Sequence, residues 1–296
     1  MSRLFELFTQ AWSPPSNPKT SFKGKNVIVT GSNTGLGFEA ALKFVGNDAS
    51  LVILAVRDLK KGDHAKSLIE ERTGKKDRVE VWQLDMNSYD SIQDFANRAS
   101  TLDHLDVAVF NAGVFMPTFE ESTYGWEQTL QINTLSTAML GLLLLPKLKA
   151  SKTESNLPVL EIVTSGNYQR VVNSDKLLEA EDLLRLYNNS KDYKASVAYV
   201  GSKLLVMYVM RTLALLAKSS TSPDGQPDVV VTSVCPGGAA SDLARGYRGS
   251  AAKIYRAIFF SLFLRTTEQG ARSLVSGVTL GEEAHGKFWQ HDILKM

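Results

Sequence analysis

From residue 26 onward, short apolar runs rich in β-branched residues alternate with longer segments of helical spacing, and this alternation restricts the possible folds more than any other feature. The runs Asn26–Thr30, Leu51–Val56, Val79–Leu84, Val107–Phe110, Val159–Thr164 and Val229–Val234 read as strands. Between them, Phe38–Val45, Lys60–Arg72, Ser88–Ala99, Trp126–Lys149 and Ala198–Ala217 read as helices. Strands that are apolar along their whole length are buried on both faces, so the pattern predicts an α/β fold with a parallel sheet between two helix layers. Right-handed crossovers make a doubly wound sheet the economical arrangement. No repeat or Gly/Ser-rich linker divides the 296 residues, so residues 23–296 are expected to form a single domain after an N-terminal extension, residues 1–22.

Composition removes several classes of function. With 44% hydrophobic and 22% charged residues, disorder is excluded. A formal charge of +2 without a basic block argues against nucleic-acid binding. One cysteine and four scattered histidines offer neither a disulfide framework nor a metal-site spacing, which points to a reducing, cytoplasmic setting. Leu4, Phe8 and Trp12 share one face of a short helix that Pro14, Pro15 and Pro18 end; this helix either packs on the domain or lies on a membrane surface. The apolar runs Leu142–Leu145 and Ala257–Leu264 fall far short of the ~20 residues of a bilayer span.

The first strand runs into T-G-S-N-T-G-L-G, which places Gly31, Ser32, Asn33, Thr34, Gly35, Leu36 and Gly37 in a turn that opens a helix. In that context the turn reads as the phosphate-binding element of a Rossmann-type dinucleotide site: Gly31 allows the tight turn, Gly35 a close backbone approach, and Gly37 helix–strand packing. The helix N-terminus offers unpaired N–H groups to the phosphates. At the end of the second strand, where an NAD site usually carries a carboxylate, Arg57 stands instead. A guanidinium there suits the 2′-phosphate of NADP, with Lys60 and Lys61 adding to the field; the alternative is a solvated charge paired with Asp58. Tyr199 and Lys203 lie one helical turn apart and so share a helix face. A neighbouring ammonium favours the phenolate and is expected to bring the tyrosine towards working range.

With these motifs in order, the chain resembles the short-chain dehydrogenase/reductase family from residue 24 to about 289. The order is the glycine turn, Asp85, Asn111-Ala112-Gly113, Asn133, Ser165, the Y-V-G-S-K run and Pro236-Gly237. The resemblance implies that Tyr199 gives a proton to a carbonyl, or takes one from an alcohol, and that Lys203 lowers its pKa and holds the nicotinamide ribose. It also implies that Ser165 hydrogen-bonds the substrate oxygen and that Asn133 holds a relay water. Asp85 and Met86 would meet the adenine, and Asn111, Ala112 and Gly113 would support and line the cofactor site. Pro236 and Gly237 would lie beside the nicotinamide, with Ser241 where the family often has a threonine. Cys235 reads as a small core residue.

The long connection from Ser165 to Tyr199, the L-A-V-R-D run and R-T-T-E-Q-G-A at Arg265–Ala271 look like the branch containing retinol dehydrogenases, WW-domain oxidoreductases and many fungal biosynthetic reductases. The insert 166–198, with a helix-like stretch at Leu177–Tyr187, and a lid at 238–264, with Gly246 and Gly249 as hinges, should wall the substrate pocket. Phe115, Phe119, Trp126 and Tyr168 favour a bulky, apolar substrate; Phe259, Phe260 and Phe263 either line that pocket, touch a membrane or pack in the core. The expected activity is NADPH-dependent reduction of a secondary-metabolite ketone or aldehyde by a possible homodimer. Alternatives are an oxidative alcohol or retinoid dehydrogenase, and a non-redox scaffold or cyclase on the same fold.

Overall fold

The computed structural model of the chain describes residues 13–170, 181–191, 193–219, 225–238 and 264–295. In chain order the regular elements are β1 (Asn26–Thr30), α1 (Gly35–Gly46), β2 (Leu51–Val56), α2 (Leu59–Thr73), β3 (Val79–Gln83), α3 (Tyr89–Ser100) and β4 (Val107–Phe110). They continue with α4 (Gln128–Ala150), β5 (Val159–Val163), α5 (Leu183–Tyr187), α6 (Ala195–Leu216), β6 (Val230–Cys235), α7 (Thr267–Gly277), β7 (Phe288–Gln290) and β8 (Ile293–Lys295).

Local chemistry sets many of the boundaries. Asp58 caps α2 by accepting from the Lys61 N–H, and Gly74 ends the helix in the left-handed region. Ser88 caps α3, and Thr266 with Gln269 forms a reciprocal capping box on α7. The strands join one sheet in the order β3-β2-β1-β4-β5-β6-β7-β8. All neighbours are parallel as far as β7, whereas β8 returns antiparallel on β7. The sheet is therefore mixed at one edge. The expected doubly wound Rossmann-type architecture is present, and the two short terminal strands extend it.

Each strand from β1 to β6 presents alternate residues to two helix layers. One core, with Phe38, Phe44, Ile69 and Leu274, lies under α1, α2 and α7. The other, with Ile92, Phe95, Leu140, Leu144, Val206 and Met210, lies under α3, α4 and α6. The helices Gln128–Ala150 and Ala195–Leu216 are long and apolar enough to cross a membrane, which the short runs in the sequence did not suggest. Most of each apolar window is buried inside the protein, so these are core helices covering the sheet.

The long helix expected from Trp126 starts at Gln128, and its second turn, Gln131–Leu135, is a π turn. The N-terminal helix proposed around Leu4, Phe8 and Trp12, the residues 177–180 of the insert and nearly all of the 238–264 lid lie outside the described residues.

Glu161 breaks the apolar pattern of β5. It faces the α7 layer between Val159 and Val163 and is fully buried. A side chain at Gly277 would collide with it, because a Cβ there would lie 1.9 Å from Oε2. Neither carboxyl oxygen has a hydrogen-bond partner among the described residues. Dehydration pushes the carboxyl well above its ordinary value of 4.5, which favours the neutral acid. Since the folded value is the higher one, its contribution to stability is present below the unfolded value and is lost as pH rises through the folded one. Glu161→Leu is expected to stabilise the fold by roughly 1–3 kcal/mol at about pH 8 and by less at about pH 5. Denaturant midpoints at the two pH values check this, and a variant no more stable than wild type at the higher pH refutes it.

Candidate active site

The cleft forms at the carboxyl ends of β1 and β4, where the sheet order reverses direction. Gly31 and Gly35 adopt φ of +64° and +62°, which L side chains rarely reach. A Cβ on Gly37 would lie 2.5 Å from Asn111 Nδ2 and 2.6 Å from the Gly31 carbonyl oxygen, so only glycine lets α1 start this close to β1. Asn111 Nδ2 donates to the carbonyls of Thr30 and Gly31 at 3.0 and 3.2 Å. The Ala112 N–H donates to Thr30 Oγ1 at 2.9 Å. Thr30 carries a supporting role that sequence did not single out, because its partner is distant along the chain.

Most of the expected site residues line this one cleft of ≈ 440 Å³: Gly31, Asn33, Thr34, Gly35, Leu36, Arg57, Asp85, Met86, Asn111, Ala112, Gly113, Ser165, Tyr199, Lys203, Pro236 and Gly237. Three others stand behind its wall. Ser32 is buried and donates to the Val29 carbonyl at 2.8 Å, Gly37 packs against β1, and Asn133 is buried. Ser241 lies outside the described residues.

The chemical features of the cleft suit a dinucleotide. The turn leaves open space above Gly35, and the helix N-terminus faces it. Arg57 is exposed at the rim and makes no ion pair among the described residues; Asp58 instead pairs with Lys61 at 3.5 Å. Lys61 lines the cleft too, which adds a second cation at that end, whereas Lys60 does not line it. Asp85 fixes its own loop by accepting from the Asn87 N–H at 2.9 Å.

At the other end, α6 presents Tyr199 and Lys203. Lys203 is buried, and its Nζ donates to the Val163 carbonyl at 3.0 Å, while Thr164 Oγ1 donates to the Lys203 carbonyl at 3.1 Å. A Cβ on Gly113 would meet Asn133 Oδ1 at a tight 3.1 Å and Lys203 Nζ at an ordinary 3.7 Å. Burial depresses the ammonium to about 8.

The expected lowering of the Tyr199 phenol is not what this geometry produces. Lys203 Nζ sits 5.8 Å from the ring centroid and is bonded to a carbonyl, so desolvation dominates and raises the phenol above its ordinary value. Tyr199 is thereby held as the protonated phenol. Ser165 Oγ accepts from the Asn167 N–H at 3.3 Å and borders the same space. Cys235 is buried at the cleft wall, where its Sγ accepts from the Gly166 N–H at 3.3 Å.

Asn133 works as a brace. Its Oδ1 accepts from the Val114 N–H at 2.8 Å, and its Nδ2 donates to the Val114 carbonyl and to Ser202 Oγ, both at 3.0 Å. Ser202 Oγ in turn donates to the Tyr199 carbonyl at 2.8 Å. The π turn aims Asn133 into this contact, a device often found at functional sites.

Of the aromatic wall expected from sequence, Phe115 meets the Tyr199 ring with centroids 5.3 Å apart. The others pack elsewhere: Phe119 on Tyr193, Tyr168 on Phe288, and Trp126 against the cluster of Tyr187 and Leu130. The insert is pinned by Tyr193, whose hydroxyl approaches the Met116 carbonyl at 2.8 Å and Glu127 Oε1 at 3.2 Å.

Gly37→Ala is expected to force the glycine turn off Asn111, destabilising the protein by about 1–3 kcal/mol and weakening dinucleotide binding. Urea unfolding with a parallel NADPH titration measures both; a variant indistinguishable from wild type in each would refute the close-approach argument.

A model of the short chain dehydrogenase family matches residues 25–157. Among curated proteins, the chain is 42% identical over 294 residues to the short-chain dehydrogenase/reductase ffsI of Aspergillus flavipes, covering 98% of this chain and 84% of that protein. It is 40% identical over 294 residues to the short-chain dehydrogenase/reductase phmF of Phaeosphaeria nodorum, covering 98% and 83%. A solved short chain dehydrogenase of Shigella flexneri 2a complexed with NADP shares the fold with a TM-score of 0.62, at 22% identity over 92% of this chain and 99% of that one. The carbonyl reductase Sniffer of Caenorhabditis elegans does so with a TM-score of 0.62, at 22% identity over 93% and 99%. The fungal relatives match along nearly the whole chain, and the chain belongs to the short-chain dehydrogenase/reductase family.

Proposed function

We propose that the protein is an NADPH-dependent carbonyl reductase acting on a bulky, largely apolar ketone or aldehyde. The observation that carries this reading is the meeting, in one cleft, of the glycine turn and Arg57 at one end with Tyr199, Lys203 and Ser165 at the other. A bound nicotinamide supplies the hydride; the residues of the chain do the rest.

Ser165 and Tyr199 offer hydroxyl donors to the carbonyl oxygen, so developing alkoxide charge meets preorganised hydrogen bonds. The Tyr199 phenol, kept protonated by burial, then delivers its proton to that oxygen. The protonated phenol is the form that serves reduction, and the phenolate the form that serves oxidation. Lys203, drawn down to about 8 by burial, exchanges its proton near neutral pH and can resupply Tyr199. Asn133 commits its side chain to Val114 and Ser202, so its part is to hold α6 in register.

Arg57 supports NADP over NAD because its exposed guanidinium suits a bidentate contact to a 2′-phosphate. The Shigella flexneri structure, complexed with NADP, is in keeping with that choice. Phe115 against Tyr199 supports an apolar substrate, with the insert 166–198 and the segment 238–264 as further pocket walls. The fungal relatives, both named short-chain dehydrogenase/reductase, are in keeping with an oxidoreductase.

Tyr199→Phe is expected to cut carbonyl reduction by about 10²–10⁴-fold while leaving NADPH binding within a factor of about two. Single-turnover NADPH oxidation with a panel of apolar ketones measures the first and a fluorescence titration the second; reduction at the wild-type rate refutes the proton donor. Arg57→Glu is expected to move preference from NADPH towards NADH by roughly 10-fold or more, and an unchanged ratio of the two dissociation constants sinks the NADP assignment.

A further inference from the structure

Arg265 is 2% exposed and is the bulkiest of the fully buried side chains among the described residues. It lies just before α7 and joins two segments far apart in the sequence. Its backbone N–H donates to the Gly238 carbonyl at 2.7 Å, and Nη1 reaches the Pro236 carbonyl at 3.4 Å. A Cβ on Gly237 would lie only 2.9 Å from Nη1, so the guanidinium presses directly on the back of the Pro236–Gly238 loop. The front of that loop lines the cleft. On its other side, Nη2 donates to the Ser13 carbonyl at 3.0 Å.

Ser13 belongs to a strap, residues 13–18, seated on α1 and α7. Pro15 is buried, and its carbonyl accepts from Arg272 Nη1 at 3.0 Å. Arg272 is itself fixed by Glu268, with Nη2 to Oε2 at 2.8 Å. Lys43 on α1 donates to Asn17 Oδ1 at 3.0 Å, and Asn47 Nδ2 donates to the Pro18 carbonyl at 3.2 Å. Pro14, Pro15 and Pro18 restrict φ along the strap, so little conformational freedom remains to be lost on docking. The strap thus touches α1, whose first turn is the glycine cradle, and through Arg265 it touches the loop across the cleft.

We propose that the strap and Arg265 act together as a positioning device that holds the Pro236–Gly238 loop where the nicotinamide end of the cofactor docks. This rests on the cleft being the nicotinamide-dinucleotide site. Arg265 does not face the cofactor; it acts through the loop carbonyls. A planar guanidinium serves two carbonyls in fixed, divergent directions, which the compact ammonium of a lysine does not reproduce; the contact of the backbone N–H to Gly238 is independent of the side chain.

The test uses the full chain, with calorimetric titration of NADPH and of adenosine 2′,5′-bisphosphate, the fragment that carries only the adenosine end. The variants are Arg265→Lys, the paired Pro14→Gly and Pro15→Gly, and all three substitutions together. Each of the first two is expected to weaken NADPH about 5- to 20-fold, as for the loss of a hydrogen bond to a charged group, and to leave the fragment unchanged. The combination is expected to be no weaker than the worse of the two, because they break one connection. Additive losses, an NADPH affinity unchanged in the proline pair, or equal weakening of NADPH and fragment would each overturn the proposal. If Arg265→Lys fails to fold, the proline pair decides alone on the same criteria. Wild-type protein that binds neither NADPH nor NADH would instead refute the cofactor reading and this device with it, whereas wild-type binding with unaffected variants refutes the device alone.

Discussion

The contact on which the site depends is the pair of hydrogen bonds from the Asn111 amide to the Thr30 and Gly31 carbonyls. β1 and β4 lie side by side, but their following segments leave towards opposite helix layers, so a crevice opens between them. Carbonyls stranded at a strand end would be costly to bury unpaired, and Asn111 satisfies two of them at once. The same amide sits within 2.5 Å of where a Cβ at position 37 would be, so the contact also dictates glycine there and sets how closely α1 approaches. Cradle and crevice are consequences of one side chain.

A second set of contacts carries order from the crevice to the reacting end. Val114, four residues beyond Phe110, is gripped on both its N–H and its carbonyl by Asn133, and Asn133 reaches Ser202 between Tyr199 and Lys203. The loop after β4, the wide turn of α4 and the first half of α6 therefore behave as one block. Burial within that block raises the Tyr199 phenol and depresses the Lys203 ammonium, which brings the two groups' proton affinities into the opposite relation from that expected of a close charge pair. Adjacency along a helix was visible in the sequence; the carbonyl of Val163 that captures the ammonium was not, because it belongs to another strand.

The strands from β1 to β6 were legible because parallel strands buried on both faces leave uninterrupted apolar runs, and the glycine turn was legible because backbone sterics admit one residue type. The two terminal strands escaped notice: Phe288–Gln290 and Ile293–Lys295 are short and joined by a tight turn, in which His291 and Asp292 take φ of +55° and +56°. Glu161 lies inside a run read from sequence as an apolar strand, and in space it stands opposite Gly277, since the pairing of a strand residue with a helix glycine leaves no periodic trace. The aromatic residues near the cleft were countable, but their directions were not. Phe115 turns to Tyr199, while Tyr168 turns away to Phe288.

The π turn at Gln131–Leu135 accommodates one residue more than an α turn, and one residue corresponds to about 100° of rotation around a helix axis. Upstream of it, Leu130 faces the insert; within it, Asn133 faces the catalytic helix; downstream, Leu140, Leu144 and Leu148 face the sheet. The extra residue works as a phase shifter that lets a single rod serve surfaces it could not otherwise meet together. Loops absorb insertions and deletions with little effect, but here a change of one residue in length would turn the whole downstream stripe a quarter-turn out of the core. At this point of the chain the number of residues carries information that their identities do not.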